Sequence, residues 1–155
     1  MQKVVLIAII AAAISAGCKK QEFMKKHEAQ FKLNGVSYTC GEDQVWAEYY
    51  SGVTLLTVNA FAGSASTNGA SIVVDLTKIN QTVAIDSGQE GWYARGTNSA
   101  VQYFPINGEW KITSHEEGKA ESRHTEGTFS FTGVNQYNAA DTLRITEGHF
   151  YVNNY

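Results

Sequence analysis

Short runs of alternating apolar and polar residues, without any helical apolar stripe, most constrain what this chain can fold into. Residues 54–61 place Leu56, Val58 and Ala60 on one face, and residues 127–132 repeat the alternation with phenylalanines. Runs of this kind recur about every eight to twelve residues between turn-forming segments. The pattern predicts an all-β domain of about nine or ten short strands. An antiparallel β-sandwich and a flattened β-barrel share this alternation, so both stay open.

Turn-forming residues mark where the strands are expected to end. The Asn-Gly pair at 34–35 lies between two apolar alternations and predicts a tight hairpin, and the pair at 107–108 predicts another. Pro105 is expected at a strand end or on an edge strand. Glu147 and Gly148 are expected to separate the last two strands, and the polar stretch 116–126 to form a loop.

Composition limits the class of protein. The chain has 155 residues, 43% of them apolar, and a single proline. One domain of this size buries roughly two-thirds of its unfolded surface without needing disulfides or metals. The formal net charge of −3 gives no reason to expect a nucleic-acid partner.

The N-terminus has the pattern of an export signal. Lys3 precedes the apolar run 4–14, and small residues then lead into Cys18. The run reaches only about 16 Å as a helix, against about 30 Å of hydrocarbon, so it is too short to span a membrane. Residues 1–17 are therefore predicted to be a secretory signal peptide.

The segment ending at Cys18 resembles a bacterial lipoprotein signal, in which the cysteine is lipidated and becomes the first mature residue. Ser15 stands where that signal usually has a large aliphatic residue, so ordinary cleavage remains the alternative. The resemblance implies an acyl anchor on Cys18. The polar, basic residues that follow predict a tether, so that 18–28 form the anchor and tether, and the β pattern from Ala29 onward predicts a single β-domain over 29–155. Because Lys19 is not acidic and no acidic run follows, it further implies the outer membrane, with the periplasmic face favoured over the cell surface. With Cys18 lipidated, Cys40 is expected to be a small buried hydrophobe.

The C-terminal third contains the segments EWKIT at 109–113, EGTFSFT at 126–132 and DTLRITEGHF at 141–150. These segments resemble an uncharacterised family of Bacteroidetes lipoproteins, a domain of unknown function. The resemblance implies a small secreted β-domain and no activity. It also implies an O-glycosylation site at Thr142, because exported proteins of that lineage carry glycans at Asp-Ser/Thr-apolar sequences. An ordinary strand start is the alternative interpretation of Thr142.

No catalytic motif is present in the sequence. There is no HExxH or other zinc spacing, no nucleophile elbow and no phosphate-binding glycine loop. His115 and His124, with Glu116 nearby, come closest to a weak metal site, but exposed loop histidines are the better interpretation. We therefore expect a protein that is not an enzyme and has no cofactor or metal.

Aromatic residues give the only hint of function. The chain has three Trp, eight Tyr and seven Phe, several in adjacent pairs, of which one should face the core and the other solvent. We predict a ligand surface at Trp46, Trp92 and Trp110, and the alternative is that they belong to the core. The predicted function is binding of a glycan, a lipid or another small ligand. The alternative is an accessory subunit that docks on another envelope protein.

Overall fold

The computed structural model describes residues 26–49, 54–62, 67–87, 91–98, 100–118 and 123–153. The predicted signal peptide 1–17, the anchor Cys18 and most of the tether lie outside these residues. Ten β-strands and one short 3₁₀ turn are present in the described part. The strands are β1 Glu28–Leu33, β2 Val36–Cys40, β3 Val45–Tyr49, β4 Leu55–Phe61, β5 Gly69–Asp75, β6 Thr82–Asp86, β7 Tyr93–Arg95, β8 Tyr103–Glu116, β9 His124–Asn135 and β10 Asn138–Asn153. This confirms the prediction of an all-β fold.

The strands form a single open sheet in the order β2-β1-β10-β9-β8-β7-β5-β4-β3, in which every strand pair is antiparallel. Strand β8 joins the two halves of the sheet: its first residue, Tyr103, pairs with Ala94 of β7, and its middle pairs with β6. The sheet curves back on itself, so that β3 at one end contacts β10 in the other half. An open sheet curved in this way has the architecture of a β-sandwich or a flattened barrel.

The inward faces of both halves share one hydrophobic core. Phe129 lies at its centre, with ring centroids 6.4 Å from both Phe31 and Phe150. Trp92 meets Phe131 edge to face at 5.8 Å. Aromatic side chains of this size bury 150–250 Å² each, so these contacts contribute much of the stability of the fold.

The hairpin predicted at 34–35 is confirmed. Asn34 and Gly35 have φ values of 49° and 84° and join β1 to β2 through two residues, as a tight hairpin requires. The turn is also tied to β10: the Asn34 amide donates to the Arg144 carbonyl, and Asn34 Oδ1 accepts from the Arg144 amide, both at 2.8 Å.

The expected strand breaks at Pro105, at 107–108 and at 147–148 are wrong. These residues lie inside β8 and β10, which have 14 and 16 residues, so these strands are not short. Register shifts beside Pro105 and before Gly148 absorb the irregular residues as β-bulges, and β9 keeps pairing on both sides of them. The loop expected at 116–126 is shorter than predicted, because β9 already begins at His124.

Candidate functional site

The structure does not bring the three candidate tryptophans onto one surface. Trp92 is fully buried and donates its Nε1 hydrogen to the Val73 carbonyl at 2.8 Å. Trp110 is only 3% exposed. Trp92, which directly precedes β7, and Trp110 on β8 therefore face the core and form no open surface with Trp46, although Trp110 lines a cavity described below. Trp46 is 41% exposed and lies on the outer face.

Trp46 belongs to a row of three rings on the outer face of β3, β4 and β7. Its ring centroid lies 6.0 Å from that of Phe61, at an interplanar angle of 33°. The Phe61 centroid lies 5.9 Å from that of Tyr93, at 30°. We call Trp46, Phe61 and Tyr93 the aromatic row. Its rings are tilted by similar angles and hold one another in place, so Trp46 is oriented by its neighbours.

The strand register explains how the aromatic row forms. On β4, Leu56, Val58 and Ala60 point inward, which leaves Phe61 on the outer face. Phe61 on β4 pairs with Gly69 on β5. A Cβ at Gly69 would lie 2.1 Å from the Ala60 carbonyl oxygen and 2.7 Å from Phe61 Cδ1. The missing side chain at Gly69 therefore makes room for the Phe61 ring, which is buried although it lies outside the core.

Polar groups lie beside the aromatic row. Trp46 pairs with Asn59, Asn59 with Ser71 and Ser71 with Tyr93, so these four residues form a line across the sheet. Asn59 and Ser71 are both buried. No hydrogen bond of either side chain occurs within the part of the chain that the structure describes. An amide and a hydroxyl thus accompany the rings, as is common in sites for small polar ligands.

Arg95 lies at the Tyr93 end of the aromatic row. Its guanidinium carbon is 5.6 Å from the Phe61 ring centroid and 5.3 Å from that of Tyr93, which are cation–π distances. Its Nε is shielded from solvent and has no hydrogen-bond partner among the described residues. The row therefore carries a positive charge at one end.

A cavity of about 430 Å³ lies on the other half of the sheet and has a different chemistry. The side chains on its walls are mainly polar or charged: Thr82, Glu109, Lys111, Thr128, Ser130, Glu147 and His149. Glu147 is bound by Lys32 at 2.7 Å, and His149 Nε2 lies 2.8 Å from Glu126 Oε1. These contacts engage Glu147 and His149. Trp110 and Phe129 also line the cavity, but each is only 3% exposed.

The histidines do not assemble as a metal site. His115 and His124 lie on neighbouring strands, one register position apart, so their side chains point to opposite faces. His115 Nδ1 lies 2.8 Å from Thr125 Oγ1, whereas His124 stacks on Tyr151 at 5.7 Å. Both histidines belong to strands, so their interpretation as loop residues is wrong. Within the described ranges, no group of three or more His, Cys, Asp or Glu residues is suited to hold a metal ion.

Cys40 is fully buried in the core, as predicted. Burial disfavours the thiolate and raises the pKa of the Cys40 thiol to about 11. At neutral pH the group is therefore a protonated thiol without nucleophilic character.

Thr142 is exposed on β10, opposite Val134 of β9. The preceding carboxylate is engaged: Asp141 Oδ2 accepts from the Tyr103 hydroxyl at 3.0 Å and from Asn135 Nδ2 at 2.7 Å. Partial burial and the bond to Asp141 together raise the pKa of Tyr103. Glycosylation of Thr142 stays a prediction, and the side chain is exposed to solvent.

Comparison with known proteins identifies no relative: no family model, no curated protein and no solved structure matches this chain. Over the residues that the structure describes, none of the helical segments is long and apolar enough to cross a membrane.

The sequence interpretation missed Phe61, Tyr93 and Arg95. Each follows an inward-facing residue, Ala60, Trp92 or Ala94, and its outward position is readable from local alternation. The sequence does not predict that β7 lies beside β5 and so joins β3 and β4 in one part of the sheet, because β6 lies between β5 and β7 along the chain.

Proposed function

We propose that this protein is a non-catalytic binding protein that holds a glycan against the aromatic row. The observation that carries the proposal is the exposed ring of Trp46, held in a fixed orientation by Phe61 and supported through it by Tyr93. A ring that is already ordered loses little conformational entropy when a ligand stacks on it.

The chemistry of the surface suits a sugar better than a lipid. The flat apolar face of an indole matches the C–H face of a pyranose ring, while its edge stays polar. The indole Nε1 of Trp46 and the partly exposed hydroxyl of Tyr93 can form hydrogen bonds with sugar hydroxyls, whereas Asn59 and Ser71 are buried beside them. A lipid tail needs a deep apolar cavity, whereas seven of the ten residues that line the 430 Å³ cavity are polar or charged.

The location of the protein is part of the same proposal. We propose that an acyl anchor on Cys18 holds the domain at the outer membrane, with the periplasmic face favoured. The support is the sequence of residues 1–18, where a basic residue, a short apolar run and small residues precede the cysteine. Stable anchoring takes more than one acyl chain, at about 0.8 kcal/mol per buried CH₂.

Tryptophan fluorescence tests the binding proposal directly. Because Trp92 and Trp110 are buried, Trp46 is the indole that a surface ligand meets. The full-length protein in detergent is titrated with a panel of neutral and acidic oligosaccharides. We expect at least one saturable change in emission, and loss of that binding in Trp46→Ala. The matched control Tyr137→Ala, an 80% exposed aromatic at the β9–β10 turn, should bind normally. Absence of binding across the panel, or unchanged binding by Trp46→Ala, refutes the proposal.

A second surface favours the alternative function, an accessory subunit of an envelope complex. Phe104, Ile106 and Tyr137 are all exposed at the start of β8 and at the β9–β10 turn. Exposed apolar groups that lie close together are typical of protein interfaces. If this surface is the functional one, a Phe104→Ser and Tyr137→Ser double variant loses a partner in envelope crosslinking, whereas Trp46→Ala retains it.

A further inference from the structure

We infer that the glycan bound at the aromatic row carries a carboxylate, as a uronic acid does, and that Arg95 pairs with this carboxylate. The inference rests on the proposed function and specifies the class of sugar. Its starting point is that Arg95 is part of the same surface as Trp46, connected to it through Phe61.

Arg95 lacks the acidic partner that other basic residues of the domain have. Lys26 is paired with Glu42 and Lys32 with Glu147, each at 2.7 Å. Within the described ranges Arg95 forms no ion pair, and its shielded Nε forms no hydrogen bond. A shielded polar atom without a partner is uncommon in a folded protein and asks for an explanation. Because Nε is shielded, a ligand anion would pair with the terminal Nη groups of the guanidinium, which no described acidic side chain engages.

On the described strands β3, β4, β5 and β7, the carboxylates of the outer face lie too far along the strands to serve Arg95. Arg95 on β7 pairs with Gly69 at the start of β5. Glu48 on β3 pairs with Thr57 on β4, which pairs with Val73 on β5, so these three residues form a second line across the sheet. Four residues of strand separate these two lines by about 13 Å. Asp75 is farther still and accepts two hydrogen bonds from Thr77. The Arg95 end of the aromatic row is therefore electrostatically open to an anion.

The planar guanidinium of Arg95 favours a carboxylate, with its two oxygens, over an anion that offers a single acceptor. A guanidinium that packs over aromatic rings keeps the N–H donors in its own plane available, and these donors form a fork that matches the two oxygens of a carboxylate. An anionic sugar whose ring stacks on the aromatic row can thus bring its acid group to Arg95. A neutral sugar would leave the Arg95 guanidinium without an anionic partner.

The experiment uses pairs of sugars that differ in charge alone. Oligosaccharides of galacturonate, glucuronate, mannuronate and guluronate are each compared with the carboxyl-reduced, neutral form of the same chain. Dissociation constants are measured with full-length protein in detergent for the wild type, Arg95→Gln, Arg95→Lys and Trp46→Ala. Arg144→Gln, an exposed arginine on β10, is the matched control. Thermal midpoints verify that every variant is folded.

For at least one pair we expect the acid to bind tenfold or more tightly than its neutral form. Arg95→Gln should bring the ratio close to one, and Arg95→Lys should keep only part of it, because the charge remains but the fork is lost. Trp46→Ala should weaken both members of the pair, and Arg144→Gln should change neither.

Three outcomes would overturn the inference. Equal affinity for acid and neutral form, or an unchanged ratio in Arg95→Gln, removes Arg95 from recognition while leaving the proposed function intact. Tighter binding of a sulfated oligosaccharide of equal length than of any uronate refutes the assignment of a carboxylate. If no member of any pair binds, the proposed function and the inference both fail.

Discussion

Replacing Trp92 by phenylalanine should destabilise the domain without affecting ligand binding. The substitution removes the Nε1 hydrogen bond to the Val73 carbonyl, about 1 kcal/mol by the usual net value. It also leaves a cavity of about 40 Å³ where the second indole ring lay, which costs about 1 kcal/mol at 24 cal/mol per Å³. Some loss of burial adds to these terms, so the free energy of unfolding should fall by about 2–3 kcal/mol.

Urea unfolding followed by far-UV circular dichroism measures this loss. The transition midpoint should fall with an unchanged slope, and the thermal midpoint should drop by about 8 °C. Trp46→Phe is the control, with an expected loss under about 1 kcal/mol because that ring is already 41% exposed. If Trp92→Phe leaves stability unchanged but abolishes glycan binding, the assignment of Trp92 to the core is wrong.

The remaining predictions concern a glycine, a thiol and a carboxylate. Gly69→Ala should lower the free energy of unfolding by about 1–3 kcal/mol, because the new Cβ would lie 2.7 Å from Phe61 Cδ1. It should also shift the fluorescence emission of Trp46, which packs on Phe61. Unchanged stability and emission would contradict the close fit of Gly69 and Phe61. Cys40, with its pKa raised to about 11, should not react with a thiol reagent at pH 8 in a folded variant that lacks the other cysteine. It should react once urea unfolds that variant. Reaction in the folded state would show that the thiol is accessible. Burial raises the pKa of Asp75, but hydrogen bonds from Thr77 outweigh this effect and lower it. The ionised carboxylate therefore stabilises the fold above its unfolded pKa, and this stabilisation is lost as the pH falls through the folded pKa. Asp75→Asn should accordingly lower the thermal midpoint at pH 7 and have little effect at pH 2.5, whereas an equal effect at both pH values would rule out linkage to this carboxylate.

Local alternation was sufficient to predict much of the fold, including the inward face of β4 and the hairpin at 34–35. Local alternation failed where a turn-forming residue lies inside a continuous strand. Pro105 and the pair at 147–148 look like strand ends, yet each lies at a bulge that β9 bridges by pairing on both sides. The partner strand decides whether such residues end a strand, and the sequence of one strand does not contain its partner.

The candidate site was less predictable for a related reason. Adjacent aromatic residues such as those at 92–93 were expected to point in opposite directions, and they do, but the pattern did not say which ring faces the core. The aromatic row also depends on the neighbourhood of β3, β4, β5 and β7, which arises from pairing across the sheet. Of the three predicted tryptophans, only Trp46 on β3 is exposed.

The order of the strands also bears on how this chain folds. Strands β8, β9 and β10 are consecutive and pair in sequence, so a three-stranded meander can form from contacts that are short along the chain. Strand β1, in contrast, pairs with β10, which is synthesised after the other nine described strands. Until then one edge of the β1–β2 hairpin stays unpaired and open to wrong partners. The N-terminal hairpin therefore completes the sheet late, and a chain that lacks β10 exposes an edge prone to aggregation.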